Sequence, residues 1–166
     1  MKDWRDTNVR IVGPVVSEMM NAFDRMWYRA TKQTPLPKRV RARDPEFRYV
    51  TNFPAPGRRH VYIELVAAIR AARKYIYITT PYFVPTHRLA RVIKLAAHRG
   101  VDVRIIIPNR TDHYPTLDLA ARSFFRTLLD SGVRIFLYEG NIIHSKATVV
   151  DGDWSTVGSL NMDNAS

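Results

Sequence analysis

Three short runs constrain this chain most: 75–79 (YIYIT), 101–107 (VDVRIII) and 133–138 (VRIFLY). Each is dense in β-branched and aromatic residues, and Pro81 and Pro108 close the first two, so all three read as strands. The stretches around them have helical spacing. One helix spans about His60 to Ala72, with Leu65, Val66 and Ile69 inward. A second spans Thr86 to His98 and stops at Gly100. A third spans Thr116 to Asp130, burying Leu117, Ala120, Phe124, Leu128 and Leu129, and stops at Gly132. Strands separated by single helices must run parallel, because a parallel pair needs a crossover connection. Two further runs, Ile142 to Val150 and Trp154 to Val157, meet at Asp151-Gly152, a hairpin dipeptide. The expected fold is α/β: a mixed sheet flanked by helices on both faces, ending in a C-terminal β-hairpin. A two-residue hairpin loop pairs Val150 with Asp153, sets His144 opposite Ser159 and Lys146 opposite Val157, and turns Ile143, Ala147 and Val149 toward the core.

The N-terminal third differs. Thr7 to Val12 reads as a strand, and Gly13-Pro14 opens a helix to about Thr31. Val15, Val16, Met19, Met20, Phe23, Met26 and Trp27 make one apolar stripe along it, which calls for a covering partner. Phe47 to Thr51 reads as a strand. Of the formal net charge of +11, most falls within residues 29–60, where nine basic side chains face Asp44 and Glu46 alone among acids. Five prolines share that stretch, so it reads as an extended basic connector, centred on residues 31–46. Such a segment is either a solvated linker or a patch for an anionic partner, whether nucleic acid, a phosphorylated substrate or acidic lipid, the last at about 1 kcal/mol per basic residue close to its surface. The absence of cysteine excludes disulfides, thiol catalysis and cysteine-held metal. No run of apolar residues is long enough to span a bilayer as a helix.

One constellation carries chemistry: His144, Lys146, Asp151, Gly158, Ser159 and Asn161, spaced His-x-Lys-x4-Asp-x6-Gly-Ser-x-Asn. Singly, a strand histidine is usually a structural hydrogen-bonder, a lysine a surface group and Asp-Gly a turn. Together they bring an imidazole, an ammonium, a hydroxyl and an amide to one face, with no carboxylate among them. That set suits a phosphate: lysine supplies charge, serine and asparagine donate directed hydrogen bonds, and histidine attacks or moves a proton.

The pattern resembles the signature of the phospholipase D superfamily; six fixed positions at roughly one in twenty each leave little room for coincidence. Trp4-Arg5-Asp6-Thr7 with Gly13-Pro14, Thr80-Pro81-Tyr82-Phe83-Val84-Pro85, Arg99-Gly100-Val101-Asp102-Val103-Arg104 and Gly132-Val133-Arg134-Ile135 narrow the resemblance to bacterial cardiolipin synthases. It implies two α/β halves sharing one active site. One histidine forms a phosphohistidine and its counterpart protonates the leaving alcohol, with no metal or other cofactor. Carried over, His144 is one of the two histidines, Lys146 and Asn161 hold phosphate oxygens, and Ser159 supports them. Asp151 belongs to the signature but sits at the turn, where a structural role is expected. Tyr82 and Phe83, past a strand's carboxyl end, are the candidates for substrate contact, with plain packing as the equal alternative.

By the same resemblance, residues 1–30 are a strand-plus-helix remnant of a preceding half, and 47–166 are a second half incomplete at its C-terminus. The first motif is expected upstream of Met1. The family's histidine-orienting acid is expected beyond Ser166, so the sequence offers His144 no carboxylate. Ala165 stands where an arginine is common. The implied substrate is phosphatidylglycerol, and the implied location is the bacterial cell membrane, met through the basic region 29–60. The missing N-terminal half or a second copy of the chain would complete the site. Two alternatives stand beside this: a homodimeric single-motif phosphodiesterase or nuclease, and a fragment that binds anionic phosphate without turnover. The cardiolipin-synthase-like segments argue against nucleic acid.

Overall fold

The structure is a computed structural model, and it describes residues 4–33, 38, 40–41, 46–51, 60–109, 115–140 and 142–162. The chain divides into two compact units, one of residues 1–8 with 62–166 and one of residues 9–61.

The larger unit holds a five-stranded sheet in the order β4-β3-β2-β6-β7. Strands β2 (Tyr75–Thr79), β3 (Asp102–Pro108) and β4 (Arg134–Tyr138) run parallel. β6 (Ala147–Val150) lies antiparallel to β2, and β7 (Trp154–Val157) antiparallel to β6. The crossovers are α3 (His87–His98) and α4 (Pro115–Leu129), and α2 (His60–Ala71) leads into β2. This is the mixed α/β sheet that the strand–helix alternation requires.

One core joins these elements. Leu65 and Ile69 of α2, Leu89 and Ile93 of α3 and Leu128 of α4 pack with Ile76, Ile78, Val103 and Ile105, all at most 2% exposed. Burying each such side chain contributes about 1.5–3 kcal/mol. Strand alternation puts the inward residues of β2, β3 and β6 on the face shared with α2, α3 and α4. Tyr77, Ile106, Phe136 and Val149 lie on the other, more exposed face. Leu129 is also exposed, because the apolar stripe of α4 ends at Leu128. The side chains of Leu117 and Ala120 lie outside the described ones. Polar contacts tie the helices together: Thr86 caps α3 by accepting from the Leu89 amide and meets the Tyr62 hydroxyl of α2 at 2.6 Å. Arg99 donates to the carbonyls of Ile69, Arg70 and Ala72, covering the C-terminal end of α2.

The hairpin differs from the expected register. Val150 pairs with Trp154 and Ala147 with Val157, so the loop has three residues and every pairing moves by one. Asp151 takes a left-handed φ of 57° and Gly152 one of 85°, and Asp153 donates back to the Val150 carbonyl. Glycine suits the second position, where the Tyr75 hydroxyl comes within 3.1 Å of where a Cβ would stand.

A second difference bears on the site. The single strand expected over 142–150 is two strands with different partners. β5 (Ile142–Ile143) pairs in parallel with β1 (Trp4–Arg5), whereas β6 joins β2. Buried positions run 143, 145, then 148 and 150, so the alternation changes phase where the chain passes from one sheet to the other. Val149 is therefore 36% exposed, not inward. The expected strand at 7–12 is likewise absent: its place is taken by β1, two residues at 4–5, and residues 6–12 are irregular.

In the smaller unit, α1 (Val15–Thr31) follows Gly13-Pro14 and ends at Lys32, whose amide donates to the Tyr28 carbonyl. Asn21 holds residues 38 and 40: its amide donates to the Lys38 carbonyl and its oxygen accepts from the Val40 amide. Met20, Phe23, Met26 and Trp27 are each at least half exposed, and the Phe23 and Trp27 rings stack at 6.0 Å. Residues 47–51 form no strand. Much of the basic connector, including Arg39, Arg43, Arg58 and Arg59, lies outside the described residues, as does Ala165.

Candidate functional site

His144 and Asp6 each stand one residue beyond the end of a strand, His144 after β5 and Asp6 after β1. The parallel register sets Trp4 beside Ile142 and Arg5 beside Ile143, and the His144 amide donates to the Arg5 carbonyl at 2.9 Å. The two side chains then meet: His144 Nδ1 lies 3.1 Å from Asp6 Oδ2. The other carboxylate oxygen, Oδ1, accepts from the Thr7 amide at 2.9 Å. Both oxygens are thus committed. The His144 hydrogen bond, then the Thr7 amide, hold the Asp6 carboxyl below its ordinary value. Alternation sends Arg5 the opposite way, with its guanidinium 5.8 Å from the centre of the Tyr138 ring.

Asp6 therefore corrects the expectation that His144 lacks a carboxylate. The partner comes from 138 residues away in sequence, by pairing of two strands of two residues each. The sequence signal for it is the Trp4-Arg5-Asp6-Thr7 segment, whose resemblance to the family carries no information on its reach to His144.

Lys146 is half-buried, and its ammonium donates to the His144 carbonyl at 2.6 Å. Burial lowers its pKa and the Asp6 charge opposes that shift. Ser145, between them, is 3% exposed and donates to Thr7 Oγ1 at 2.6 Å. His144 and Lys146 are thus brought together, with Asp6 and Thr7 in addition.

The remaining candidates lie as follows. The Asp151 carboxylate accepts from the amides of Tyr75, Arg73 and Lys74, each at 2.8 Å, which lower its pKa. It clips the hairpin to the α2–β2 turn and has no oxygen directed to His144. The Gly158 amide donates to the Lys146 carbonyl, so the chain carrying Ser159 and Asn161 leaves the ladder opposite Lys146. Ser159 is exposed. Asn161 is half-buried, with an Oδ1 shut from solvent and unpartnered among the described residues. Its neighbour Met162 bridges to Phe83 and accepts from the Val84 amide. Phe83, 2% exposed, packs in the core and is closed to substrate; Tyr82 beside it is half-exposed. Among the described residues no group of histidine, aspartate and glutamate is arranged to hold a metal ion.

The imidazole, its carboxylate and the neighbouring ammonium are carried by a mixed α/β fold of the phospholipase D class. Solved structures agree. The phospholipase D family member Nuc from Salmonella typhimurium superposes with a TM-score of 0.55 at 25% identity, covering 63% of this chain and 66% of that one. NucT from Helicobacter pylori superposes at 0.53 and 23%, over 64% and 70%, a likeness of fold. The family described as "Cardiolipin synthase, PLD-like domain" matches residues 65–166, and the chain belongs to it. Cardiolipin synthase A of Pseudomonas syringae pv. syringae is 37% identical over 167 residues, covering 98% of this chain and 34% of that protein. Cardiolipin synthase A of Pseudomonas aeruginosa is 36% identical over 166 residues, with the same coverage. The chain thus spans about a third of the length of these relatives.

Proposed function

We propose that this chain supplies one half-site of a phosphatidyltransferase that makes cardiolipin from phosphatidylglycerol. The carrying observation is the 3.1 Å contact of His144 Nδ1 with Asp6 Oδ2. A neutral imidazole that donates from Nδ1 to a carboxylate keeps its lone pair on Nε2, the nitrogen that then attacks or takes a proton. In the first step a histidine Nε2 bonds to the phosphorus of phosphatidylglycerol. The phosphorus–oxygen bond to the head-group glycerol breaks, and a second histidine protonates that oxygen. In the second step the glycerol hydroxyl of another phosphatidylglycerol gives its proton to the second histidine and attacks phosphorus. The phosphorus–nitrogen bond breaks, leaving cardiolipin. Attacking and leaving groups lie on opposite sides of phosphorus, so one imidazole cannot fill both roles. His144 is one of the two; its counterpart comes from a homologous half or a second copy.

Lys146 and Asn161 neutralise and hold the non-bridging oxygens, with Ser159 supporting them. Tyr82 is the remaining candidate for lipid contact. The basic region 29–60 brings the chain to an anionic membrane. No described helix is long and apolar enough to cross one.

The test is cardiolipin formation on phosphatidylglycerol vesicles. The 166-residue chain alone is expected to give none, and a protein joining it to a homologous half is expected to turn over. Turnover by the chain alone, first order in protein, overturns the half-site reading; second-order dependence places the counterpart histidine on a second copy.

A further inference from the structure

We propose that the Thr7–Ser145 hydrogen bond is the pin that sets residues 4–7 in register against residues 142–145, making both hydroxyls positioning groups for His144. This rests on the reading of His144 as a reacting imidazole.

The backbone pairing that brings Asp6 to His144 is short. β1 and β5 contribute two residues each, and the His144 amide adds one bond to Arg5. Parallel pairs of that length are weak, and isolated short pairings are marginal in water. Register matters acutely here, because a slip of one residue exchanges the faces of a strand. Asp6 would then turn away from His144, and Arg5, of opposite charge and now over Tyr138, would take its side.

The next pair along is Thr7 with Ser145. Ser145 is one of only three buried polar residues among those described, and its hydroxyl spends its proton on Thr7 Oγ1 at 2.6 Å. A buried hydroxyl deprived of its partner costs more than the bond itself returns, so a slipped register is penalised twice. Thr7 also fixes the carboxylate, since its amide holds Asp6 Oδ1 at 2.9 Å. Holding Thr7 in place therefore places Asp6.

Amide hydrogen exchange on the 166-residue chain tests this. The His144 amide, bonded to Arg5, reports the closed segment. Ser145→Ala is expected to speed its exchange about 2- to 10-fold, the net worth of one hydrogen bond, and Thr7→Val, which leaves the Ser145 hydroxyl buried without its partner, about 5- to 100-fold. The double variant is expected to be no faster than the faster single one, because both act through one bond. Thr7→Ser keeps the hydroxyl and is expected to match wild type. Amides of the β2–β3 ladder are expected to stay unchanged in all four. Wild-type exchange at His144 in Thr7→Val and Ser145→Ala overturns the proposal. So does equal acceleration throughout the ladder, which would make the bond a contributor to global stability alone. Asp6→Asn separates the two readings: it should alter the imidazole 15N shifts of His144. If it does not, the reading of the site fails, whatever the exchange data say of the pin.

Discussion

Replacing Asp6 by asparagine tests the site through one proton. The carboxylate oxygens are not equivalent: Oδ1 accepts from the Thr7 amide and Oδ2 faces His144 Nδ1. In Asp6→Asn the carbonyl oxygen must stay on the Thr7 amide, which can only donate. The new NH2 then takes the place of Oδ2 and donates to Nδ1. His144 is forced into the tautomer with its proton on Nε2, and the lone pair leaves the nitrogen that reacts. Loss of acid–base function at one histidine costs about 10²–10⁴-fold in rate, or about 3–5 kcal/mol of barrier. The assay is cardiolipin formation by the protein carrying both halves, with the 15N spectrum of His144 recorded in parallel. The expectation is a fall of that size in turnover together with a change of tautomer. A near-wild-type rate with the tautomer reversed would refute the proposed role of Nε2; a tautomer that does not change would refute the geometric argument.

Two further outcomes concern stability. Thr148 is 1% exposed and its hydroxyl has no partner among the described residues, so Thr148→Val is expected to stabilise by about 1 kcal/mol in urea unfolding; a lower midpoint would show that the hydroxyl is used. Asp102 is held at about 2, below the ordinary 3.8, by Arg104 and then Arg134. A lowered carboxyl pKa contributes stability above the unfolded value, and that contribution is lost as pH falls from 3.8 through about 2. With solvent screening it is worth about 1 kcal/mol. Wild type and Asp102→Asn are expected to differ at neutral pH and converge across that window; a constant difference would contradict the assignment.

The sheet and its helices were legible because strand runs and helical periods alternate with clear stops. Tyr75 to Thr79 is a strand with those bounds, and Leu65, Val66 and Ile69 are the inward residues of α2. The hairpin register was not legible, because Asp-Gly fits loops of two or three residues. Here Asp151, clamped by three amides of the α2–β2 turn, decides for three. Asp6 was hidden for a different reason. A two-residue strand leaves no periodic trace, and its pairing with β5 is long-range. For Phe83 the sequence leaves two readings open, because aromatic residues past a strand end serve packing and ligand contact alike; its burial against Met162 decides for packing.

The most direct measurement of the central claim is cardiolipin formation by the two-half protein with His144→Ala, on vesicles of labelled phosphatidylglycerol. Circular dichroism and exchange in the β2–β3 ladder establish that the variant is folded. A half-site built on this imidazole predicts no labelled cardiolipin above background, whereas cardiolipin made at the wild-type rate would contradict it.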